Sequence, residues 1–399
     1  MSGAPIASGV EVHSLGCRLN LAESETLRAL LAGERELVVV NSCAVTAEAV
    51  RQTRQAIRRA RRARPDARLL VTGCAAEVER TALAAMPEVD GLVANARKLD
   101  PRVWNVAPAT GTALTTPRHT RAFIAVQNGC DHACTFCVIP QGRGPSRSAP
   151  VAEVLREVER HLATGAAEIV LTGVDLTSWG HDLPNASSLG ALVDAVLAAF
   201  PGLARLRLSS LDGVEIDPLL FELLAAEPRV MPHVHLSLQH GHDLILKRMK
   251  RRHSRADALL LVERLRTGRP EIAIGADLIA GFPTEDDAMH EANRAIIREL
   301  SIVHGHVFPY SPRPGTPAAR MPQQDRPTIL RRAAELRAEV SAVRGRWLAK
   351  LVGQPQRVLA EADGAGYSES FARVAVPQGT ARGAIVSVMP QTLEAGLLA

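Results

Sequence analysis

Long apolar segments are missing from this sequence of 399 residues. No run approaches the ~20 apolar residues that cross a bilayer, so we expect no membrane association. The first residues, MSGAPIASGVEVH, lack the basic and apolar stretches of a secretory signal, which favours a cytoplasmic protein. In that reducing compartment, grouped cysteines indicate metal binding or catalysis and argue against disulfides.

Aromatic residues and lysine are both scarce. Only 3% of the residues are aromatic, so the sequence offers no obvious platform on which nucleic-acid bases could stack. Lysine occurs only at positions 98, 247, 250 and 350, and arginine carries nearly all of the positive charge. The net charge of +5 permits a nucleic-acid partner without requiring one. The hydrophobic content of 46% and the chain length favour two or three globular domains.

Cysteine is also rare, and its six copies fall into two patterns. The first pattern is a close group within QNGCDHACTFCVIPQGRG: Cys130, Cys134 and Cys137. Three thiolates can bind three irons of a 4Fe–4S cube and leave the fourth iron open for chemistry. Structural zinc normally takes four ligands and would have to recruit another residue here, such as His132. Unligated core cysteines are the remaining alternative.

Each cysteine of the second pattern follows a short apolar segment. VEVHSLGC ends at Cys17, ELVVVNSC at Cys43 and ARLLVTGC at Cys74, and helix-like stretches separate them. This alternation predicts a parallel sheet with the three cysteines just past the carboxyl ends of its strands. Because neighbouring strands are ~4.8 Å apart, we expect the cysteines to converge on a second cluster with an open iron. Three buried cysteines that act as small hydrophobic side chains are the alternative.

Six further apolar strands are predicted after a Pro/Thr-rich connector, APATGTALTTPRHT. The strands are AFIAVQNG, EIVLTGVD, RLRLSSLD, HVHLSLQH, IAIGADLIAGFP and HVFPYS, separated by amphipathic stretches. Six βα units in ~200 residues predict an open, partial (β/α)6 barrel with its site at the strand ends. An Arg-rich helix then leads into a tail of short strands, which predicts a small antiparallel β-barrel.

The spacing Cx3CxxC, with Phe136 before its last cysteine, resembles the signature of radical S-adenosylmethionine (SAM) enzymes. Together with the three strand-end cysteines, it resembles the radical SAM methylthiotransferases over residues 10 to 320. The resemblance implies an α/β protein with four parts. They are an N-terminal parallel α/β domain at 8–105, a radical SAM domain at 118–325, a helical linker at 326–349 and a C-terminal β-barrel similar to the RNA-binding TRAM domain at 350–399.

The resemblance also implies the cofactors, which are two 4Fe–4S clusters and SAM. The cluster on Cys130, Cys134 and Cys137 would chelate SAM and cleave it to a 5′-deoxyadenosyl radical, so these three are the predicted catalytic residues. The cluster on Cys17, Cys43 and Cys74 would hold a sulfur species that another SAM methylates. Further SAM contacts are implied for Phe136, Gly173, Asp175, Ser209, Gln239 and Tyr310.

Two local sequences resemble the family branch that modifies N6-threonylcarbamoyladenosine beside the tRNA anticodon: LGCRLN at 15–20 and CVIPQGRGPSRS at 137–148. Gln141 departs from this branch, which commonly has Tyr there. The implied reaction adds a methylthio group to C2 of that nucleoside at tRNA position 37. The isopentenyladenosine branch and the ribosomal-protein branch are alternatives, and a non-catalytic RNA-binding protein with structural metal is an alternative of another class.

Several basic residues near the expected cavity mouth are candidate contacts to the tRNA backbone. They are Arg143, Arg147, Lys250, Arg251 and Arg252. The expected partners are therefore the anticodon stem-loop of tRNA and a cytosolic electron donor, and we expect the protein to act as a monomer.

Overall fold

The fold is taken from a computed structural model that describes residues 9–106 and 120–399. The predicted Pro/Thr-rich connector lies outside these residues, except for Thr120. Within the described ranges, no helix combines the length and the apolar character that crossing a bilayer requires.

The N-terminal part is a parallel four-stranded sheet in the order β1-β2-β3-β4. Its strands are β1 (Glu11–Ser14), β2 (Leu37–Ser42), β3 (Arg68–Gly73) and β4 (Gly91–Leu92). Its helices are α1 (Arg18–Leu30), α2 (Ala47–Ala63), α3 (Cys74–Val78) and α4 (Arg80–Ala84). Every residue of β2 is buried, as expected for a central parallel strand covered by helices on both faces.

The central part contains all six predicted barrel strands. They are β5 (Arg121–Ala125), β8 (Glu168–Thr172), β9 (Arg205–Leu208), β10 (His233–Gln239), β11 (Ala273–Ala280) and β12 (Ile302–Pro309). A small hairpin of β6 (Gln127–Asn128) and β7 (Arg147–Ser148) lies above β5. The strands form two parallel three-stranded sheets. Parallel bridges between the β9 region and the β10 region connect the two sheets. The open, partial (β/α)6 barrel is thus confirmed.

Helices cover the outside of this barrel. Two short helices, α5 (Ile139–Arg143) and α9 (Asp243–Arg248), lie instead near the strand ends, α5 against α3 and α9 against Phe282 and Tyr310. The covering helices are α6 (Val151–Ala163), α7 (Leu189–Ala199), α8 (Pro218–Ala226), α10 (Arg255–Gly268) and α11 (Asp287–Glu299). Alternate strand residues such as Val234 and Leu236 pack against these helices in the largest core cluster. The intervening residues, such as His233 and His235, therefore face the barrel interior.

A 26-residue helix, α12 (Arg326–Leu351), connects the barrel to a C-terminal sheet. The sheet strands are β13 (Gln356–Ala360), β14 (Ala365–Ser368), β15 (Arg373–Ala375), β16 (Ile385–Val388), β17 (Leu393–Glu394) and β18 (Leu397–Leu398). They form one six-stranded sheet in the order β16-β13-β14-β15-β18-β17. Its pairs are antiparallel apart from β15 with β18. The likeness of this sheet to a TRAM domain stays a prediction.

The C-terminal sheet seals the lower end of the barrel. Arg205 is fully buried and donates to the backbone carbonyls of Arg357, at 2.7 Å, and Tyr367, at 3.2 Å. Arg207 donates to Glu168 at 2.9 Å inside the barrel and to the carbonyl of Glu369 at 3.2 Å. These bonds satisfy buried guanidinium groups that would otherwise be costly to desolvate.

Candidate functional site

The first cysteine group lies on the loop after β6, above the barrel strands. The amide of His132 donates to Cys130 Sγ at 3.4 Å, and the amide of Ile139 donates to Cys137 Sγ at 3.4 Å. A turn closed by the amide of Cys137 and the carbonyl of Cys134, at 3.2 Å, brings those two residues together. The loop thus gathers the three cysteines into one compact turn beside the barrel strands.

Close packing fixes this loop on the barrel. Gly129 has a φ of +74°, and a Cβ there would lie 1.8 Å from the carbonyl oxygen of Pro145, so only glycine fits. Thr135 is held on the opposite side, because its amide and hydroxyl donate to the carbonyls of Met249, at 3.1 Å, and Arg248, at 2.8 Å. The loop is therefore anchored just before the cysteine group, at Gly129, and within it, at Thr135.

The end of β8 approaches the same loop. Gly173 has room for no side chain, because its Cβ would lie 2.7 Å from Gln127 Oε1. That oxygen accepts the amides of Val174, at 3.1 Å, and Asp175, at 2.9 Å, while Gln127 Nε2 donates to the carbonyl of Gly129 at 2.8 Å. Gln127 thus ties the β8 end to the cysteine loop, a role that the sequence interpretation missed although the residue stands in the QNGC segment.

Asp175 lies directly beside the first cysteine. Its Oδ2 is 3.6 Å from Cys130 Sγ and 3.0 Å from His132 Nε2. Hydrogen bonds that the His132 ring donates to the carboxylates of Asp175 and Glu215 raise the pKa of His132 to about 10, so the imidazole is a cation at neutral pH. Cys130, His132 and Asp175 also lie close enough together to hold one ion, so the choice between zinc and an iron cluster rests on the family.

The other predicted SAM contacts fall at two places on the strand ends. Ser209 Oγ accepts the amide of Gly173 at 3.4 Å, next to Asp175. Phe136 packs on an apolar cluster that includes Tyr310, whose pKa burial raises to about 12. Gln239 ends β10 with a φ of +70°. Their direct contact with SAM stays a prediction.

The second cysteine group lies at the carboxyl edge of the N-terminal sheet. Ser42 of β2 and Gly73 of β3 lie opposite each other in the sheet register, and Cys43 and Cys74 directly follow them. The Cys17 loop reaches the same place, because a Cβ on Gly16 would lie 2.7 Å from Cys43 Sγ. Asn20 Nδ2 fixes this loop by donating to the carbonyls of Leu15, at 2.6 Å, and Ser42, at 3.0 Å.

The two cysteine groups face each other across the contact between the N-terminal sheet and the barrel. A Cβ on Gly142, in the helix that follows Cys137, would lie 3.0 Å from Cys74 Cβ. Asn95 Nδ2 spans the contact, at 2.5 Å from the carbonyl of Gly142 and 3.9 Å from Cys74 Sγ. All six cysteines are free thiols. Burial raises the pKa of Cys43 to about 11 and of Cys137 to about 12, so cluster assembly will release protons.

A buried ion cluster supports this contact. Glu23 of α1 lies 2.6 Å from Lys98 Nζ and 2.9 Å from Arg143 Nη1, and the side chains of all three are almost fully buried. Burial by itself would raise the pKa of Glu23, but the two cations hold it below its ordinary value. Arg143 is therefore buried between the domains as a partner of Glu23, and the prediction that it contacts RNA is wrong.

Arg251 also differs from the RNA contact that the sequence predicted. Its side chain is buried, donates to Asp212 Oδ2 at 2.8 Å and lies 3.6 Å from Cys134 Sγ. It is therefore placed against the first cysteine group and away from solvent, which corrects the prediction. Arg252 is partly exposed but paired with Glu215 and Asp212. Arg147 and Lys250 are exposed and remain candidates.

Comparison with known proteins decides the family. Residues 124–295 match the radical SAM superfamily, and residues 9–94 match an uncharacterized protein family, UPF0004. The chain is 41% identical to threonylcarbamoyladenosine tRNA methylthiotransferase MtaB of Rickettsia prowazekii, over 97% of this chain and 96% of the relative. The chain belongs to the radical SAM methylthiotransferase family. Its cofactors are accordingly SAM and two 4Fe–4S clusters.

Other matches agree with this family assignment and with the radical SAM fold. tRNA-2-methylthio-N(6)-dimethylallyladenosine synthase of Cereibacter sphaeroides is 34% identical over 87% of this chain and 83% of the relative. The radical SAM methyltransferase TsrM of Kitasatospora setae, solved with cobalamin and a 4Fe-4S cluster, has a TM-score of 0.52 and 20% identity. That alignment covers 74% of this chain and 68% of TsrM, and it supports the fold alone.

The cysteine donor sets fit the two clusters. Each group offers three thiols and no fourth cysteine, which leaves one iron of each cube without a cysteine ligand. In addition, amide hydrogens point at Cys130 Sγ and Cys137 Sγ, and such hydrogen bonds stabilise thiolate charge.

Proposed function

We propose that this protein adds a methylthio group to C2 of N6-threonylcarbamoyladenosine at position 37 of tRNA. The observation that carries the proposal is the approach of Gly142, beside Cys137, to Cys74. Because the two cysteine groups meet at one domain contact, a single nucleoside between them could lose hydrogen on one side and gain sulfur from the other. The relatives that bear this name support the choice of substrate.

The two cysteine groups have different roles in this reaction. Cys130, Cys134 and Cys137 hold the cluster at which SAM binds, and Gly173, Asp175 and Ser209 shape the adjoining strand ends for it. Cys17, Cys43 and Cys74 hold the cluster that supplies sulfur. When bound, the clusters and SAM supply the radical, a methyl group and the electron that SAM cleavage consumes. The N-terminal sheet, the barrel and the C-terminal sheet act as one unit around this site.

All six cysteines come from one chain, so a monomer contains the complete site. We infer that the protein works as a monomer in the cytoplasm and takes electrons from a cytosolic donor. Size-exclusion chromatography of the loaded protein with light scattering should give the mass of one chain. A stable dimer whose disruption abolished activity would contradict this.

The direct test is mass spectrometry of tRNA nucleosides from cells that lack the protein. The 2-methylthio form of threonylcarbamoyladenosine should vanish, and its unmodified precursor should accumulate. Loss of the methylthio-isopentenyl nucleoside instead would move the protein to the sister branch. Retention of both would favour the ribosomal-protein branch or a non-catalytic role.

The exposed basic residues provide a second test of the tRNA substrate. Substituting Arg147 and Lys250 together with Ala should weaken tRNA binding and reduce its salt-dependence slope by about two, because each phosphate contact contributes about one. Reductive SAM cleavage without RNA should be unchanged. Fluorescence anisotropy at several salt concentrations measures the slope, and an unchanged slope would remove both residues from the RNA surface.

A further inference from the structure

A cavity of about 220 Å³ lies where the three parts of the chain meet. Arg18, at the start of α1, lines it from the N-terminal part, and Arg344 lines it from α12. Tyr367 and Phe371 close it from the C-terminal sheet. The remaining lining comes from β10, β12 and Val340 of α12. Because Arg18 directly follows Cys17, the cavity is joined to the segment that carries one of the sulfur-supplying cysteines.

The two arginines of this cavity have no acidic partner. Within residues 9–106 and 120–399, neither guanidinium forms an ion pair, and Arg344 Nε is buried without an acceptor. The nearby Arg207 is different, since Glu168 pairs with it at 2.9 Å. Arg18 and Arg207 lie over the same Phe371 ring, with their Cζ atoms 5.7 and 4.7 Å from its centroid. Two unpaired guanidiniums in one cavity indicate a site for an anion.

His233 adds a neutral donor beside these cations. Both ring nitrogens of His233 are buried without a partner, and burial keeps the pKa of His233 far below its ordinary value and lowers that of His304 to about 3. The nearby carboxylate, Asp277, is occupied, because His235 and His306 each lie 3.1 Å from its Oδ1. The cavity thus combines two positive charges with an unused N–H group of His233, and its acidic neighbours, Asp277 and Glu168, are already bonded.

We propose that this cavity binds the threonyl carboxylate of the substrate nucleoside, with Arg18 and Arg344 as its specificity-determining residues. The inference rests on the proposed function and names how that site distinguishes its substrate. C2 and C6 of adenine both flank N1, so the N6 substituent begins close to the carbon that receives sulfur. The adjacent positions of Cys17 and Arg18 match this proximity. An isopentenyl group has no carboxylate and would leave both guanidiniums unpaired, which disfavours it.

The test compares two anticodon stem-loop RNAs with the protein carrying both clusters. One RNA contains threonylcarbamoyladenosine, and the other contains its methyl ester, which removes the charge and adds one methyl group. Wild-type protein should prefer the acid by about ten- to a hundredfold in kcat/KM, as expected for a charge-assisted pair. Arg18→Met and Arg344→Met should each shrink this ratio, and Arg18→Lys should keep part of it. Arg346→Met, an exposed arginine on the same helix, is the matched control and should leave the ratio unchanged.

The outcomes separate the two proposals. If wild-type protein converts neither RNA but converts the isopentenyl form, the proposed function fails. If it converts the acid yet treats the ester equally, or if the acid preference survives in both methionine variants, only the carboxylate cavity is overturned. Iron content and RNA-free SAM cleavage show whether Arg18→Met disturbs the neighbouring Cys17. If they fall, Arg344→Met, which lies on α12, decides the question.

Discussion

The two cysteine groups are built in different ways. Cys43 and Cys74 are placed by strand register, since each directly follows a residue of the Ser42–Gly73 pair. Cys130, Cys134 and Cys137 are neighbours in sequence, and their loop is placed by outside contacts such as those of Thr135. A site on strand ends shares the rigidity of its sheet, whereas a site on a loop depends on the side chains that fasten it.

The largest effects should follow from removing single cysteines. Cys134→Ala should abolish reductive SAM cleavage, because the iron that binds SAM belongs to that group. Cys43→Ala should keep SAM cleavage and lose methylthiolation. Each variant should fall from about eight irons to about four. Formation of 5′-deoxyadenosine at the wild-type rate by Cys134→Ala, or methylthiolated product from Cys43→Ala, would reverse the assignment of the groups.

Breaking the contact between the groups should have the next largest effect. Glu23→Gln leaves the buried cations Lys98 and Arg143 without their carboxylate, which costs about 3 kcal/mol of stability. The thermal-unfolding midpoint should fall, and methylthiolation should fall more than SAM cleavage because the groups lose their alignment. Glu25→Gln is the control on the same helix, since its pair with Arg28 is partly exposed and worth under about 1 kcal/mol. Equal midpoints in the two variants would refute the structural role of Glu23.

Each group can also be loosened through the amide side chain that fastens it. Gln127→Ala removes the link between the cysteine loop and the β8 end, so SAM cleavage should fall by about tenfold. Asn20→Ala releases the Cys17 loop, so methylthiolation should fall by a similar factor while SAM cleavage stays unchanged. Anaerobic assays of 5′-deoxyadenosine and of the methylthiolated product measure the two effects in both variants. A loss of SAM cleavage in Asn20→Ala would show that the groups are not independent.

The smallest expected effect concerns the barrel interior below both groups. Burial lowers the pKa of His304 to about 3 in the folded protein, so the unfolded chain binds more protons between that value and about 6.5. His304 therefore destabilises the fold as the pH drops below about 6.5, by about 1 kcal/mol at pH 5.5. His304→Gln should flatten the decline of the unfolding midpoint between pH 7 and pH 5.5. An unchanged pH dependence would contradict the burial effect.

Strand positions and cysteine grouping were predictable from sequence, because apolar periodicity and spacing are local properties. All six barrel strands and the helix at 326–351 stand where the patterns predicted them. The roles of Arg143 and Arg251 were not predictable, because they depend on how separate elements dock. Both lie near basic or glycine-rich segments, for which solvent exposure is the usual expectation. In the fold, however, they are buried in ion pairs with Glu23 and Asp212. No local signal indicates partners more than a hundred residues away, as for Arg143.

The bonds from Arg205 and Arg207 to the C-terminal sheet bear on how the chain is made. A ribosome releases the barrel strands well before residues 357 to 369, whose carbonyls receive those guanidiniums. Until then Arg205 and Arg207 at the lower end of the nascent barrel lack these carbonyl acceptors, and the barrel cannot finish folding before the tail is made. The tail is therefore the last piece of the barrel to arrive. Transplanting or deleting it as an independent module would leave the catalytic domain unfinished.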